Sequence, residues 1–300
     1  MNRRRNSADM GSQHIGHKES RDYREEMPEL PEVETIRRQL EPELRGRIFT
    51  AADSHWSSKF TPALDAVGAM IERIGRRGKY LIFVLDDGHE LIAHLGMTGQ
   101  FSITQAGANT GPQCSDHGTH VRALWTLDDE RQLVYRDVRR FGRLHVVQAG
   151  DYRAIATLHQ MGPEPLGDQF SGEHLHAAVS KSSRAIKTQL LSQRPVAGVG
   201  NIYADEALFL ARINPKATRV GRSRCDLLAQ TIQHVLSAGI QNGGTTLRDY
   251  VHVDGGGGSN QHALQIYGRG GQPCLACARP LRTTTLDGRT TTYCGTCQRH

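Results

Sequence analysis

Four cysteines near the end of the 300-residue chain constrain it most: Cys274-x2-Cys277-x16-Cys294-x2-Cys297. Each C-x-x-C turn can offer two thiolates to one tetrahedral ion, so the spacing predicts one structural Zn2+. Four thiolates leave no open coordination position, and a metal held this way organises a small hairpin without doing chemistry. The chain has six cysteines, four of them in its last 27 residues, and no secretory leader is recognisable. That usage fits metal ligation in a reducing cytosol and not a secreted disulfide framework. Between the two pairs, Arg289 falls near the hairpin tip. Spacing alone makes it a solvated turn residue, although a zinc-pinned arginine would also suit a nucleic-acid groove or a phosphate.

Composition narrows the class. With 37% hydrophobic and 23% charged residues and a mean hydropathy of -0.50, the chain reads as globular, and its length suits two domains plus a small appendage. No apolar run approaches the ~20 residues of a membrane-spanning helix, which excludes an integral membrane protein of that kind. A net charge of +6 and a pI near 9.1 favour a polyanionic partner.

Hydrophobic periodicity divides the chain. Residues 1–26 are almost devoid of apolar side chains and read as a disordered extension, either an expression remnant or the product of a start codon placed upstream of Met27. From Pro31, the apolar positions Val33, Ile36, Leu40 and Leu44 recur at helical spacing and stop at Gly46. Residues 48–148 then show hairpin signatures: Tyr80–Leu85 and Leu91–Leu95 flank Asp-Asp-Gly, and a second pair flanks Asp128-Asp129-Glu130, as in an antiparallel sandwich or barrel. Helical spacing returns near Tyr152, and VAGVGNIYADEALF places glycines and Asn201 between two helices. The segment VDGGGGSNQ is too glycine-rich to hold one conformation. The expected fold is α+β and multidomain: a disordered 1–26, a helix plus antiparallel β-sandwich over 27–150, a helical domain over 151–263, and a zinc-finger hairpin over 264–300.

Two further features carry chemistry. If the chain begins at Met27 and that methionine is removed, Pro28 becomes an N-terminal secondary amine, whose ordinary pKa near ~8 leaves part of it free to attack a carbonyl carbon or a sugar C1′. Glu29 would then stand beside it to move protons. Read in isolation, Pro28 is an ordinary proline ahead of a helix with acids in its first turn. The clusters Arg76-Arg77-Gly78-Lys79 and Arg139-Arg140-Phe141-Gly142 flank strands; they are either solvated surface or phosphate contacts with an aromatic wedge.

The strings PELPEVETIRR, RRGKYL, HLGMTG, RRFG, MGPEPL, GVGNIYADE, GGTTLRDY and QIYGR, followed by the cysteine set, occur in order over about nine tenths of the chain. In these motifs the chain resembles the bacterial formamidopyrimidine-DNA glycosylases, bifunctional enzymes that remove 8-oxoguanine and ring-opened purines. The resemblance implies a helix-two-turn-helix in the helical domain. It implies Pro28 as the Schiff-base nucleophile, Glu29 as the acid/base, Lys79 as the proton donor in β-elimination and Arg289 in δ-elimination. Met97, Arg139 and Phe141 match the residues that fill the gap left by a flipped base, while His117, Lys187 and Asn201 match DNA contacts. The glycines 255–258 match a loop over the flipped base.

The implied partner is double-stranded DNA containing oxidised purines or abasic sites, met by a monomer in the bacterial cytosol and its nucleoid. Four positions depart from the family pattern. Pro28 is an amide while residues 1–27 stay attached, His117 is offset by one residue, Ser183 replaces a basic residue, and Val138 replaces a proline. Two other readings remain open: a non-catalytic binder of damaged DNA, if Pro28 is not the mature N-terminus, and a zinc-stapled regulatory DNA-binding protein.

Overall fold

The computed structural model describes residues 27–105, 119–247 and 250–299. His117 and the extension 1–26 lie outside these residues. Helix α1 (Leu30–Leu44) begins one residue before Pro31 and takes that proline in its first turn, where a missing N–H costs nothing. Its start is capped by acid: the Glu29 N–H donates to Glu32 Oε2 at 2.9 Å. Gly46, at φ +79°, turns the chain out of the helix, and its N–H donates to the Ile71 carbonyl at 2.7 Å.

The face formed by Val33, Ile36, Leu40 and Leu44 is buried in one core with Phe49, Phe83, Phe101 and Trp125. That core fills the space between two antiparallel four-stranded sheets. One runs β1-β6-β7-β5, built from β1 (Phe49–Ser54), β5 (Gly99–Thr104), β6 (Val121–Leu127) and β7 (Gln132–Asp137). The other runs β2-β3-β4-β8, built from β2 (Ile71–Arg77), β3 (Tyr80–Leu85), β4 (His89–His94) and β8 (Arg143–Gln148). Both hairpins read from the sequence are present: Tyr80 pairs with His94, and Leu124 with Val134. The Asp128–Glu130 turn closes through Glu130 at φ +67°.

At the end of β7, the buried carboxylate of Asp137 builds the turn that carries Arg139 and Phe141. It accepts the Thr98 hydroxyl at 2.6 Å and the Gly142 N–H at 2.8 Å, while Thr98 Oγ1 accepts the Arg139 N–H at 2.9 Å. Gly142 must be glycine, because a Cβ there would overlap the Tyr135 hydroxyl.

Helices α3 (Gly172–Val179), α4 (Ile186–Leu191), α5 (Asn201–Leu210) and α6 (Arg222–Gln241) form a second core. The Ile155–Leu158 periodicity yields only the one-turn α2 (Ala156–His159). Between α4 and α5 the helix-two-turn-helix connection is stapled by one side chain: Gln193 Nε2 donates to the Val199 carbonyl at 2.6 Å, and Gln193 Oε1 accepts the Gly198 N–H at 2.7 Å. Leu30, at the start of α1, joins this second core and donates its N–H to the Gly198 carbonyl at 3.1 Å. Contrary to the expectation for VDGGGGSNQ, the segment is tied down. The Gly258 N–H donates to Thr246 Oγ1 at 2.8 Å, and a Cβ at Gly258 would strike the Gly244 carbonyl. The glycine there serves close approach of backbone to backbone.

The cysteine module carries the hairpin β9 (Arg282–Leu286) and β10 (Arg289–Tyr293). All four Sγ atoms lie within 4.8 Å of one another, with Cys274–Cys297 at 4.0 Å and Cys277–Cys294 at 3.5 Å. These separations straddle the ~3.8 Å edge of a tetrahedron with ~2.3 Å Zn–S bonds, and they are far beyond a ~2.05 Å disulfide. The residues fit one structural Zn2+.

Lys187 corrects an expectation. Its side chain does not face a DNA surface: it is fully buried and pairs with the buried Asp205 at 2.7 Å. It also donates to Thr291 Oγ1 at 2.9 Å, and Asp205 Oδ2 accepts the Thr292 N–H at 2.9 Å. An ammonium withdrawn from water in this way bonds strand β10 to helices α4 and α5 and has nothing left for a phosphate. Lys187→Ala strands a buried carboxylate and is expected to cost about 3–5 kcal/mol, seen as a lower thermal midpoint. Lys187→Met paired with Asp205→Leu should recover most of the loss; an unchanged midpoint in Lys187→Ala would refute the assignment.

Candidate active site

The site lies where α1, the β-sandwich, α5 and the zinc hairpin meet. Glu29 is 2% exposed, and its carboxylate accepts backbone N–H groups from Gly200 at 2.6 Å, Ile202 at 2.8 Å and Tyr203 at 3.4 Å. It thus caps α5 from a different part of the chain, satisfying N–H groups that the helix cannot pair internally. Burial pushes the Glu29 carboxyl up to about 7, with the neighbouring Glu32 adding to the rise and Lys79 and the N–H donors opposing it. Lys79, also buried, has its ammonium pKa lowered by desolvation, with Arg289 adding to the fall and Glu29 resisting it. A carboxyl raised to about 7 can give and take a proton near neutral pH, and the Lys79 amine beside it loses its proton more readily than an ordinary lysine.

The chain brings Lys79 here through a tight turn. Gly78 stands at φ +55°, and its N–H donates to Glu164 Oε1 at 2.6 Å. Glu164 also holds Arg76 at 2.8 Å and Arg77 at 3.1 Å, and Arg76 reaches back to Glu34 on α1 at 3.1 Å. The RRGK cluster therefore divides: two arginines fasten the wall of the site and the lysine enters it.

A cavity of about 610 Å³ opens beside these groups, and Met27, Glu29, Lys79, Met97, Phe141, Asn201 and Arg289 all line it. Six of the residues singled out in the sequence therefore converge on one space, together with Met27, which is bonded to the buried Pro28. Arg139 is not in the lining; it is exposed, with its guanidinium 4.8 Å from the centre of the Phe141 ring. The Phe141 ring is itself half exposed. The Asn201 amide meets the Tyr267 hydroxyl at 3.3 Å, and its Oδ1 is buried without a partner.

Sequence reasoning assigned no role to several groups here. Glu32 is buried; it accepts the Tyr203 hydroxyl at 2.8 Å and the Thr245 N–H at 2.7 Å, locking α1, α5 and the GGTT segment together. Its E-x-x-E spacing from Glu29, a capping-box pattern, was the available signal. His94, Arg143 and His145 line the cavity wall. Burial, followed by the charges of Lys79, Arg143 and His145, pushes His94 down to about 4, so at neutral pH it presents an uncharged ring.

Family models match three consecutive parts of the chain: a formamidopyrimidine-DNA glycosylase N-terminal domain over residues 27–144, the H2TH domain of the same enzyme over 161–251, and a zinc finger found in FPG and IleRS over 271–299. A formamidopyrimidine-DNA glycosylase of Bacillus licheniformis is 39% identical over 284 residues, covering 91% of this chain and all of the relative. The crystal structure of the MutM (Fpg) protein of Thermus thermophilus superposes with a TM-score of 0.82 at 41% identity, covering 90% of this chain and 98% of that one. A variant of the Lactococcus lactis Fpg, in complex with Fapy-dG-containing DNA, gives 0.81 at 33% identity, covering 91% of this chain and all of the other.

Gly200 separates the two charged groups: a Cβ there would overlap both the Glu29 carboxyl and Lys79 Nζ. Its φ is -124°, a value open to any residue, so Gly200→Ala acts by crowding alone. Displacing both groups is expected to lower strand cleavage about 100-fold with the circular dichroism of the parent retained; wild-type cleavage by Gly200→Ala would show that the pair is not used.

Proposed function

Because the chain belongs to the formamidopyrimidine-DNA glycosylase family, we propose that it excises 8-oxoguanine and formamidopyrimidines from duplex DNA and cleaves the abasic strand by β,δ-elimination through a Schiff base on Pro28. That it is a DNA glycosylase of base-excision repair follows from the family. The observation supporting the finer reading is the meeting of Glu29, Lys79 and Arg289 around the cavity that Met27 also lines.

Removal of Met27 leaves the Pro28 nitrogen as a secondary amine at that wall, and the family match itself begins at residue 27. The nitrogen lone pair attacks C1′, the glycosidic bond breaks, and the base departs with a proton supplied by Glu29. The amine then gives up its N–H proton and the C1′–O4′ bond opens, O4′ taking a proton, which leaves a cationic iminium at C1′ and makes the C2′ proton acidic. Loss of that proton expels the 3′ phosphate, with Lys79 placed to carry protons, and loss of the C4′ proton then expels the 5′ phosphate under Arg289. Arg289 is exposed at the start of β10 and carries a charge suited to the leaving phosphate. Zinc supplies rigidity when bound and leaves the proton transfers to these side chains.

Flipping a base costs a few kcal/mol. In this reading Phe141 and Met97 fill the vacated space, Arg139 faces the orphaned base, and Asn201 holds a phosphate. The division into 27–150, 151–263 and 264–300, a monomeric state and work on the DNA of the bacterial cytosol belong to the same proposal. Non-catalytic damage binding remains the alternative wherever Met27 stays attached.

Borohydride trapping on an 8-oxoguanine duplex tests the nucleophile. Chains beginning at Met1 and at Met27 should differ, with an adduct at Pro28 only in the second; binding without trapping in both would leave a damage binder or a glycosylase without lyase activity. The pH dependence tests the acid. Excision needs Glu29 protonated and the amine free, so single-turnover rates are expected to trace a bell, with limbs near about 7 from Glu29 and about 8 from an ordinary α-amine. A rate that keeps rising above pH ~9 would remove Glu29 from the acid role.

A further inference from the structure

The chain contains two tryptophans, and they occupy opposite environments. Trp125 is fully buried and donates its indole N–H to the Ala63 carbonyl at 2.9 Å. Trp56, just after β1, is 82% exposed. Large aromatic rings rarely stand this far into water without a partner to cover them.

The ring is supported from behind. His55 stacks on Trp56 with centroids 5.1 Å apart and planes 30° apart, and the His55 ring sits edge-on to buried Phe60 at 6.1 Å. The segment hangs on the turn that carries Phe141: the Lys59 ammonium donates to the Arg140 carbonyl at 2.9 Å, and the Leu144 N–H donates to the Lys59 carbonyl at 2.8 Å. Arg136, Arg139 and Arg140 are exposed along the same edge. Burial and then the charges of Arg122 and Arg140 lower the His55 pKa, so the stacked pair is an uncharged aromatic surface among cations. The complement of such a surface is a polyanion that also offers π faces, which is nucleic acid.

We propose that Trp56, backed by His55, is a stacking shelf for a nucleotide of the bound DNA, a second aromatic contact alongside the Phe141 turn. The shelf rests on the reading that this turn engages a duplex opened at the lesion, where a base is free to leave its stack. Its contribution is affinity and register beside the site, with no part in bond breaking.

Fluorescence of the full zinc-loaded chain tests it, because Trp125 is shielded and Trp56 is the solvent-exposed emitter. The duplex carries a tetrahydrofuran abasic analogue and a dye on one end, so that anisotropy reports binding independently. At saturation, Trp56 emission is expected to fall and acrylamide to lose access to it, and Trp56→Phe should lack this response. Trp56→Ala should weaken binding about tenfold, within the range of one base–aromatic stack, with Trp56→Phe retaining most of the affinity. A duplex that binds by anisotropy while Trp56 stays open to acrylamide, or that binds Trp56→Ala as tightly as the parent, overturns the shelf alone. A duplex that fails to bind overturns the shelf and the DNA reading together.

Discussion

The Glu29 carboxylate, accepting N–H groups from Gly200 and Ile202, is the contact on which the rest of the structure depends. Withdrawing a carboxylate from water costs several kcal/mol, and here the cost is offset by the orphan N–H groups of α5 and by Lys79. The same contact fixes the relation between α1, which packs on the β-sandwich core, and α5, which belongs to the helical core. Because burial outweighs those partners, the carboxyl is left near 7. A carboxylate better solvated by its neighbours would be a stronger cap but, with a lower pKa, would stay ionised and hold no proton to give at neutral pH. The coupling of assembly to acidity is therefore a property of one side chain in one position.

Two polar assemblies shape the walls around it. Glu164 joins Arg76, Arg77 and the Gly78 N–H, so the turn presenting Lys79 is braced against the segment leading into the helices. Asp137 does the same for the turn bearing Phe141 through Thr98 and Gly142. In each case one buried or half-buried carboxylate replaces the regular ladder where the backbone must leave a strand. A functional side chain at such a point needs its loop held by side-chain acceptors, because the sheet no longer supplies them.

Much of this was legible in the sequence, for reasons of range. The α1 face, the β3–β4 and β6–β7 hairpins and the paired C-x-x-C turns are local patterns with fixed periods, and each is found where its spacing predicts. Lys187 could not be read that way. Its partner Asp205 lies 18 residues on and Thr291 lies 104 residues on, so nothing near Lys187 distinguishes a buried ion pair from an exposed cation. Glu32 was visible only as a first-turn acid, since its bonds to Tyr203 and Thr245 arise when three segments meet. The Gly255–Gly258 run misled because glycine permits both a loose chain and a tight backbone contact. The Gly244 carbonyl pressed against Gly258 decides for the second.

The zinc hairpin shows how a metal without an open coordination position can still govern a reacting site. Arg289 has little of its own to hold it: its side chain makes a long hydrogen bond to the Asp287 carbonyl at 3.4 Å. Its place at the cavity is set by its neighbours in β10, where Thr291 and Thr292 are bound by Lys187 and Asp205, and by the four thiolates that close the base of the hairpin. Removing the metal leaves four buried or half-buried sulfurs unconnected and frees one end of that strand, while the buried ion pair still holds the middle. The backbone at Arg289 then keeps its approximate location but loses the support of the closed hairpin base. In the proposed δ-elimination, where Arg289 would meet a phosphate only as it departs, aim is the property that matters.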